Sequence, residues 1–269
     1  PVPRDPGSFK SDRVGSVPTS EVVPAGGVRL EIGLIGSTDK LLENRLFELG
    51  APLRVRIGVI ESLEILVGGS VASVYERRPE GDEFSRAPPE RWNSESYGSA
   101  EAGAKLRVYH DPAHLGIALR ARSLASSSRP TLGLTQESSI ILSTEVIASW
   151  WGAGPLRASL VVGSDTPLVD RDVQSDTLTF GGRVALEPET LEGLGVFLFS
   201  RGLFELVRPA GLERDRAVVA GLGGTWRLND TFMLDFAALT SILREGDRRD
   251  QPLLTAPRAE ARLGMTVSW

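Results

Sequence analysis

At 269 residues with 41% hydrophobic content, the chain can fill one large core or close one medium-sized barrel. It has no cysteine, which excludes a disulfide framework and thiolate chemistry, and its net charge of −5 gives no polyanion-binding signal, so no nucleic-acid partner is expected. No apolar run reaches the roughly 18 residues of a helical membrane span, but barrel strands cross in about ten residues with only alternate side chains on lipid.

Residues 1–26 carry Pro1, Pro3, Pro6, Pro18 and Pro24 among Ser and Gly, with no sustained apolar period. They read as an extended or disordered periplasmic arm. The chain opens Pro1-Val2-Pro3-Arg4 without an export signal. A secreted barrel needs one, so a leader that is cleaved or left out of this numbering is expected.

From Gly27 the pattern changes. Val28, Leu30, Ile32 and Leu34 alternate with Arg29, Glu31 and Gly33, and Leu53, Val55, Ile57 and Val59 alternate with Arg54 and Arg56. Period-two alternation places the apolar set on one face of a strand. A third strand runs from about Leu63 to Tyr75. Ala100 to Val108 and Leu115 to Arg122 give two more, with Glu101, Lys105, Arg107, Arg120 and Arg122 on the second parity. Further strands follow near 138–150, 156–162, 178–186, 194–203, 218–226, 232–238 and 261–269, twelve in all. Over 194–203 the facing is ambiguous, because Phe197 and Phe199 compete with Val196 and Leu198.

Short connections at 60–62, 110–113, 151–155, 188–193 and 229–230 alternate with longer ones at 36–51, 76–99, 125–137, 164–176, 204–216 and 244–258. This alternation predicts a closed, antiparallel, up-and-down transmembrane β-barrel over 27–269, with short periplasmic turns and long extracellular loops, in the bacterial outer membrane. A soluble barrel or sandwich would bury the same apolar rows in a core. The Ala and Gly content of those rows, and the arginine-heavy opposite parity, favour lipid outside and an enclosed polar lumen. Trp150, Trp226 and Trp269 share the apolar parity of their strands and sit at the end with short turns, as an interfacial girdle would.

Charged side chains in such a barrel face the lumen, because Arg on lipid costs about 2–4 kcal/mol at the midplane. The expected lumen lining is Arg54, Arg56, Glu64, Glu101, Lys105, Arg107, Arg120, Arg122, Glu145, Arg157, Arg183, Arg227, Asp235, Glu260 and Arg262. Arg29, Glu31 and Arg201 share the parity. The basic excess favours anionic solutes. A packed ion-pair network that plugs the barrel is the competing reading.

Other constellations are weaker. His110 and His114 flank Asp111-Pro112 in a turn and read as surface residues with no third ligand. Asp165, Asp170, Asp172 and Asp176 fit no calcium-loop spacing. Neither a metal nor another cofactor is expected, and no nucleophile–base pair suggests an enzyme.

Residues 28–34 (VRLEIGL), 53–59 (LRVRIGV) and 63–69 (LEILVGG) resemble the opening of the transporter family associated with the meta-pathway of phenol degradation. There a strand ending R-x-G-L-T-D leads to L-E-L; here 56–65 read RIGVIESLEI, with Ile60-Glu61 where Thr-Asp is usual. Residues 221–232 (GLGGTWRLNDTF) resemble its strand–turn–strand unit. The resemblance spans nearly everything after residue 27 and implies an outer-membrane barrel with no catalytic set. The ending Met265 to Trp269 resembles the C-terminal signal of such barrels, which implies recognition by the barrel-assembly machinery.

Two functions follow as expectations. The first is passive passage of small polar or anionic solutes through an arginine-rich lumen. The second is a plugged structural barrel, set among outer-membrane lipids, that docks envelope proteins through residues 1–26 or its loops.

Overall fold

The computed structural model describes residues 17–41, 44–77, 93–111, 114–127, 129–131, 134–136, 139–151, 154–168, 176–187, 193–206, 216–245 and 259–269. Within them lie fourteen strands: β1 (Val28–Leu41), β2 (Asn44–Ile60), β3 (Leu63–Arg77), β4 (Asn93–Asp111), β5 (Leu115–Ser126), β6 (Arg129–Thr131), β7 (Leu134–Gln136), β8 (Ser139–Trp151), β9 (Leu156–Pro167), β10 (Thr177–Leu186), β11 (Leu194–Glu205), β12 (Arg216–Arg227), β13 (Phe232–Glu245) and β14 (Ala259–Ser268). Twelve of them close an antiparallel barrel in which each strand pairs with its neighbour, and β6 and β7 form a separate hairpin between β5 and β8. Closure runs through β1 and β14, from Arg29 opposite Ser268 to Thr38 opposite Ala259. Beyond that ladder, Trp269 N–H donates to Val28 O at 2.9 Å.

Closure gives every wall strand a partner on both edges, so the outer surface can be apolar. The rows do face as their parity dictates. Leu34, Val67, Leu160, Leu198 and Leu263 point outward at 54–65% exposure. Arg56, Glu64 and Lys105 on the other parity are at most 1% exposed. The ambiguity in β11 resolves the same way: Phe197 and Phe199 point inward, Val196 and Leu198 outward.

Two expectations change. The long connection expected at 36–51 is largely strand, since β1 runs on to Leu41 opposite Asn44 of β2. Gly36, Ser37 and Thr38 interrupt the apolar rows without ending the hydrogen-bonded ladder. Most of the other long connections fall outside the described residues. The arm expected at 1–26 is also different where it is described. Residues 17–23 are buried, Val17 at 1% and Ser20 at 0% exposure, and lie inside the barrel. Residues 1–16 fall outside the described set.

Candidate functional site: the barrel interior

The interior has two unlike walls and a segment stretched between them. The first wall is charged. Glu31 on β1, Arg54 and Arg56 on β2, Glu64 on β3, Glu101 and Lys105 on β4, Arg120 and Arg122 on β5, and Glu145 on β8 form a continuous ladder. Arg56 meets Glu64 at 2.7 Å and Glu31 at 3.2 Å, while Lys105 meets Glu64 at 3.4 Å. Arg54 joins Glu101 at 2.6 Å and Glu31 at 3.7 Å. Arg122 bridges Glu101 at 3.5 Å and Glu145 at 3.3 Å, and Glu145 also pairs closely with Arg120. Acids and bases interleave around the wall, so each of these buried charges meets an opposite one. That is the condition for tolerating charge away from water.

The second wall is apolar, and the charge-based reading of the lumen missed it. Ile147, Val161, Ala185, Phe197, Phe199, Ala217, Val219 and Leu239 form one buried cluster across β8 to β13. The two rings lie along the wall: a Cβ at Gly221 would fall 2.6 Å from Phe199 Cζ. Arg183 places its guanidinium 4.3 Å from the centre of the Phe197 ring, a cation–π contact. The signal was in the sequence. In β11 both parities are apolar, as expected where both faces are shielded from water.

Residues 17–27 cross the bore from one wall to the other. A turn at Pro24 to Gly27, in which Gly27 N–H donates to Pro24 O at 2.9 Å, swings the chain from the lumen into β1. From there Val23 N–H donates to Glu64 Oε2 at 2.8 Å, and Arg56 Nη2 donates to Glu21 O at 3.5 Å. Lys105 Nζ donates to Thr19 O at 3.2 Å, and Ser20 N–H donates to Ser149 Oγ at 2.8 Å. Trp151 Nε1 donates to the Glu21 carboxylate at 3.3 Å. At the far side Val17 joins the apolar cluster on β9 to β11. Glycines make the room: a Cβ at Gly58 would overlap Pro24 O, and one at Gly116 would overlap Ser20 Oγ.

The remaining expected lumen residues lie outside this ladder. Arg107 is half-buried and donates to Glu61 O at 2.6 Å. Arg157 donates to Gly154 O at 2.7 Å beside its turn. Arg227 is exposed, Asp235 is half-buried, and Glu260 and Arg262 pair with each other. Arg201 interacts electrostatically with Asp165, Glu145, Arg120 and Arg262, so it belongs with the charged groups despite rising from the apolar side. Trp150, Trp226 and Trp269 point outward at 42%, 51% and 68% exposure, all beside short turns or the chain end. His114 is exposed and contacts Asp111 at 3.2 Å, and His110 stands edge-on to Trp151. Asp170 and Asp172 lie outside the described residues.

No family model matches the chain, and no curated protein matches it either. The resemblance to the phenol-degradation transporters is therefore not confirmed. Solved structures do match. The COG4313 outer membrane channel from Pseudomonas putida F1 aligns with a TM-score of 0.62 and 11% identity, over 93% of this chain and 98% of that one. The KdgM porin aligns at 0.53 with 8% identity, over 89% and 99%. The NanC porin aligns at 0.51 with 11% identity, over 90% and 98%. At such identities the likeness establishes the fold, and the fold agrees with the apolar exterior: this is a closed twelve-stranded barrel of the bacterial outer-membrane type.

Proposed function

We propose that the protein is a passive outer-membrane channel for small anionic solutes that carry an apolar face, held closed across its bore by its own residues 17–27. The observation that carries this reading is how that segment is bound. It adds no strand to the sheet. Its backbone groups are met mostly by side chains of the wall: Glu64, Arg56, Lys105 and Ser149. Residues 17–23, held this way, can leave the bore while the backbone bonds of Gly26 and Gly27 to Gly58 stay closed, which supports displacement over permanent sealing. The two walls then define the solute. Arginines on β2 and β5 favour a carboxylate or similar anion, and Phe197 and Phe199 favour an alkyl or aryl body.

Kinship with the phenol-degradation transporters, and recognition of the strand ending at Trp269 by the assembly machinery, remain part of this proposal. Docking of envelope proteins through the arm has less support, since residues 17–23 are engaged inside the barrel.

Planar-bilayer recording tests the channel. The full chain is expected to show low or intermittent current, and a chain lacking residues 1–26 a steady, several-fold larger ohmic conductance with anion preference. A folded, truncated barrel that passes no current would end the channel reading.

A further inference from the structure

We propose that the chain upstream of Val17 leaves the barrel through its outer mouth, so that the protein is threaded by its own N-terminus and displays residues 1–16 at the cell surface. The polarity of the barrel comes first. Gly26 and Gly27 bond to the backbone of Gly58 where β1 begins, at the end that carries the short turns from β2 to β3 and from β12 to β13. Trp269 pairs with Val28 at the same end. Outer-membrane barrels keep their short turns in the periplasm. A periplasmic arm would leave this rim away from the membrane. Here the chain turns the other way, into the bore.

Its contacts then climb toward the opposite rim. Val23 is held by Glu64, next to the start of β3, and Ser20 by Ser149, close to the end of β8 at Trp151. Both lie on the first rungs above the short turns. Thr19 borders a space also lined by Ser159 of β9 and Arg183 of β10, further along their strands. Val17 is higher again: a Cβ at Gly181 would fall 3.0 Å from Val17 Cγ2 and 3.1 Å from Val161 Cγ1. Gly181 stands midway along the 10 residues of β10, and Val161 midway along the 12 of β9. At about 3.3 Å per residue and a strand tilt of about 40°, the contact points rise by roughly 10 Å between Ser20 and Val17.

Below Val17 the way back is occupied. Residues 17–23 are buried throughout and touch β2 and β4 on one side and β8 on the other. A chain that doubled back would have to pass the same cross-section. Above Val17 the interior opens. The Arg56 side chain at the crossing is 1% exposed, whereas that of Arg122, higher on the same wall, is 17% exposed. Ser70, Ser99 and Asp165, also on the interior parity, are half-buried. The upper half of β10 adds only about 10 Å of wall, and residues 1–16 span up to about 50 Å when extended. They clear the outer rim. Their sequence suits water, with Arg4, Asp5, Lys10, Asp12 and Arg13 set among Pro, Gly and Ser.

The chain has no cysteine, so a single introduced cysteine reports which side of the membrane it is on. Intact cells carrying Ser8→Cys would be treated with a polyethylene-glycol maleimide too large to enter the bore, and the modified band measured on gels. Modification is expected to match that reached after the outer membrane is permeabilised. Asp230→Cys, in the exposed turn between β12 and β13, is the periplasmic reference and should be modified only after permeabilisation. Faster migration of unheated samples checks that each variant has folded. The unaltered protein gives a second reading: trypsin added to intact cells should release the N-terminal residues at Arg4 or Lys10, seen as a new chain start by mass spectrometry. Ser8→Cys modified only after permeabilisation would return the arm to the periplasm and overturn the threading. Resistance to both reagents before and after permeabilisation would keep residues 1–16 inside the bore and overturn it equally. Modification of Asp230→Cys on intact cells would reverse the barrel's polarity and with it the exit. Labelling locates the N-terminus and does not measure current, so failure here leaves the channel reading to its own test.

Discussion

Glu64 is the residue on which the interior turns. It is fully buried, and one carboxylate serves Arg56, Lys105 and the Val23 amide. Breaking a buried ion pair by removing one partner strands the other charge, at a cost of about 3–5 kcal/mol. Glu64→Gln keeps the shape and one acceptor but removes the charge that two cations face. It is expected to lower unfolding stability in lipid vesicles by about 3 kcal/mol, read from a urea titration. It should also loosen the segment: a cysteine placed at Val23 should react faster with a water-soluble maleimide in the Gln variant. Unchanged stability together with an unchanged labelling rate would remove Glu64 from this role. The outward rows offer a control at the same scale. Leu198, at 65% exposure on the opposite parity, meets lipid alone, so Leu198→Arg should cost about 2–4 kcal/mol of folding free energy if it lies near the midplane. A neutral result in vesicles would mean that β11 is not a membrane-facing strand.

At the scale of elements, the most informative position is Gly58, where the segment's turn at Pro24 rests directly on β2. A side chain there would overlap Pro24 O. Gly58→Val should therefore push residues 17–27 from the bore without deleting them. Its single-channel conductance is expected to approach that of the chain lacking residues 1–26, and wild-type conductance in a folded variant would show that the segment does not close the path. This element also marks where sequence reading stops. The wall strands were legible because lipid on one side and charge on the other impose a strict two-residue period, as at Val28 to Leu34 and Leu53 to Val59. Residues 17–23 obey no period, since side chains and not a sheet satisfy their backbone. Nothing in Val17-Pro18-Thr19-Ser20-Glu21 distinguishes an interior crossing from an exposed arm. The Phe197 and Phe199 row was visible only as an ambiguity, because a strand buried on both faces loses its alternation.

For the whole molecule, the division of the interior into a charged wall on β1 to β5 with β8 and an apolar wall on β8 to β13 predicts more than ion preference. The charged ladder is close to balanced: five bases, Arg54, Arg56, Lys105, Arg120 and Arg122, stand against four acids, Glu31, Glu64, Glu101 and Glu145. Selectivity for anions over cations should accordingly be modest, and discrimination should come from the apolar side. Contact with an aromatic ring contributes about 0.5–1.5 kcal/mol, equivalent to a few-fold up to roughly tenfold in occupancy. Liposome swelling with the chain lacking residues 1–26 can measure this directly. A monocarboxylate with a phenyl or alkyl body is expected to permeate a few times faster than a polyol of the same mass. Substituting Phe197 and Phe199 by Ser should abolish that difference while leaving small-ion conductance equal or higher. Equal rates for the two solutes before any substitution would mean that the apolar wall only packs against Val17 and takes no part in choosing what passes.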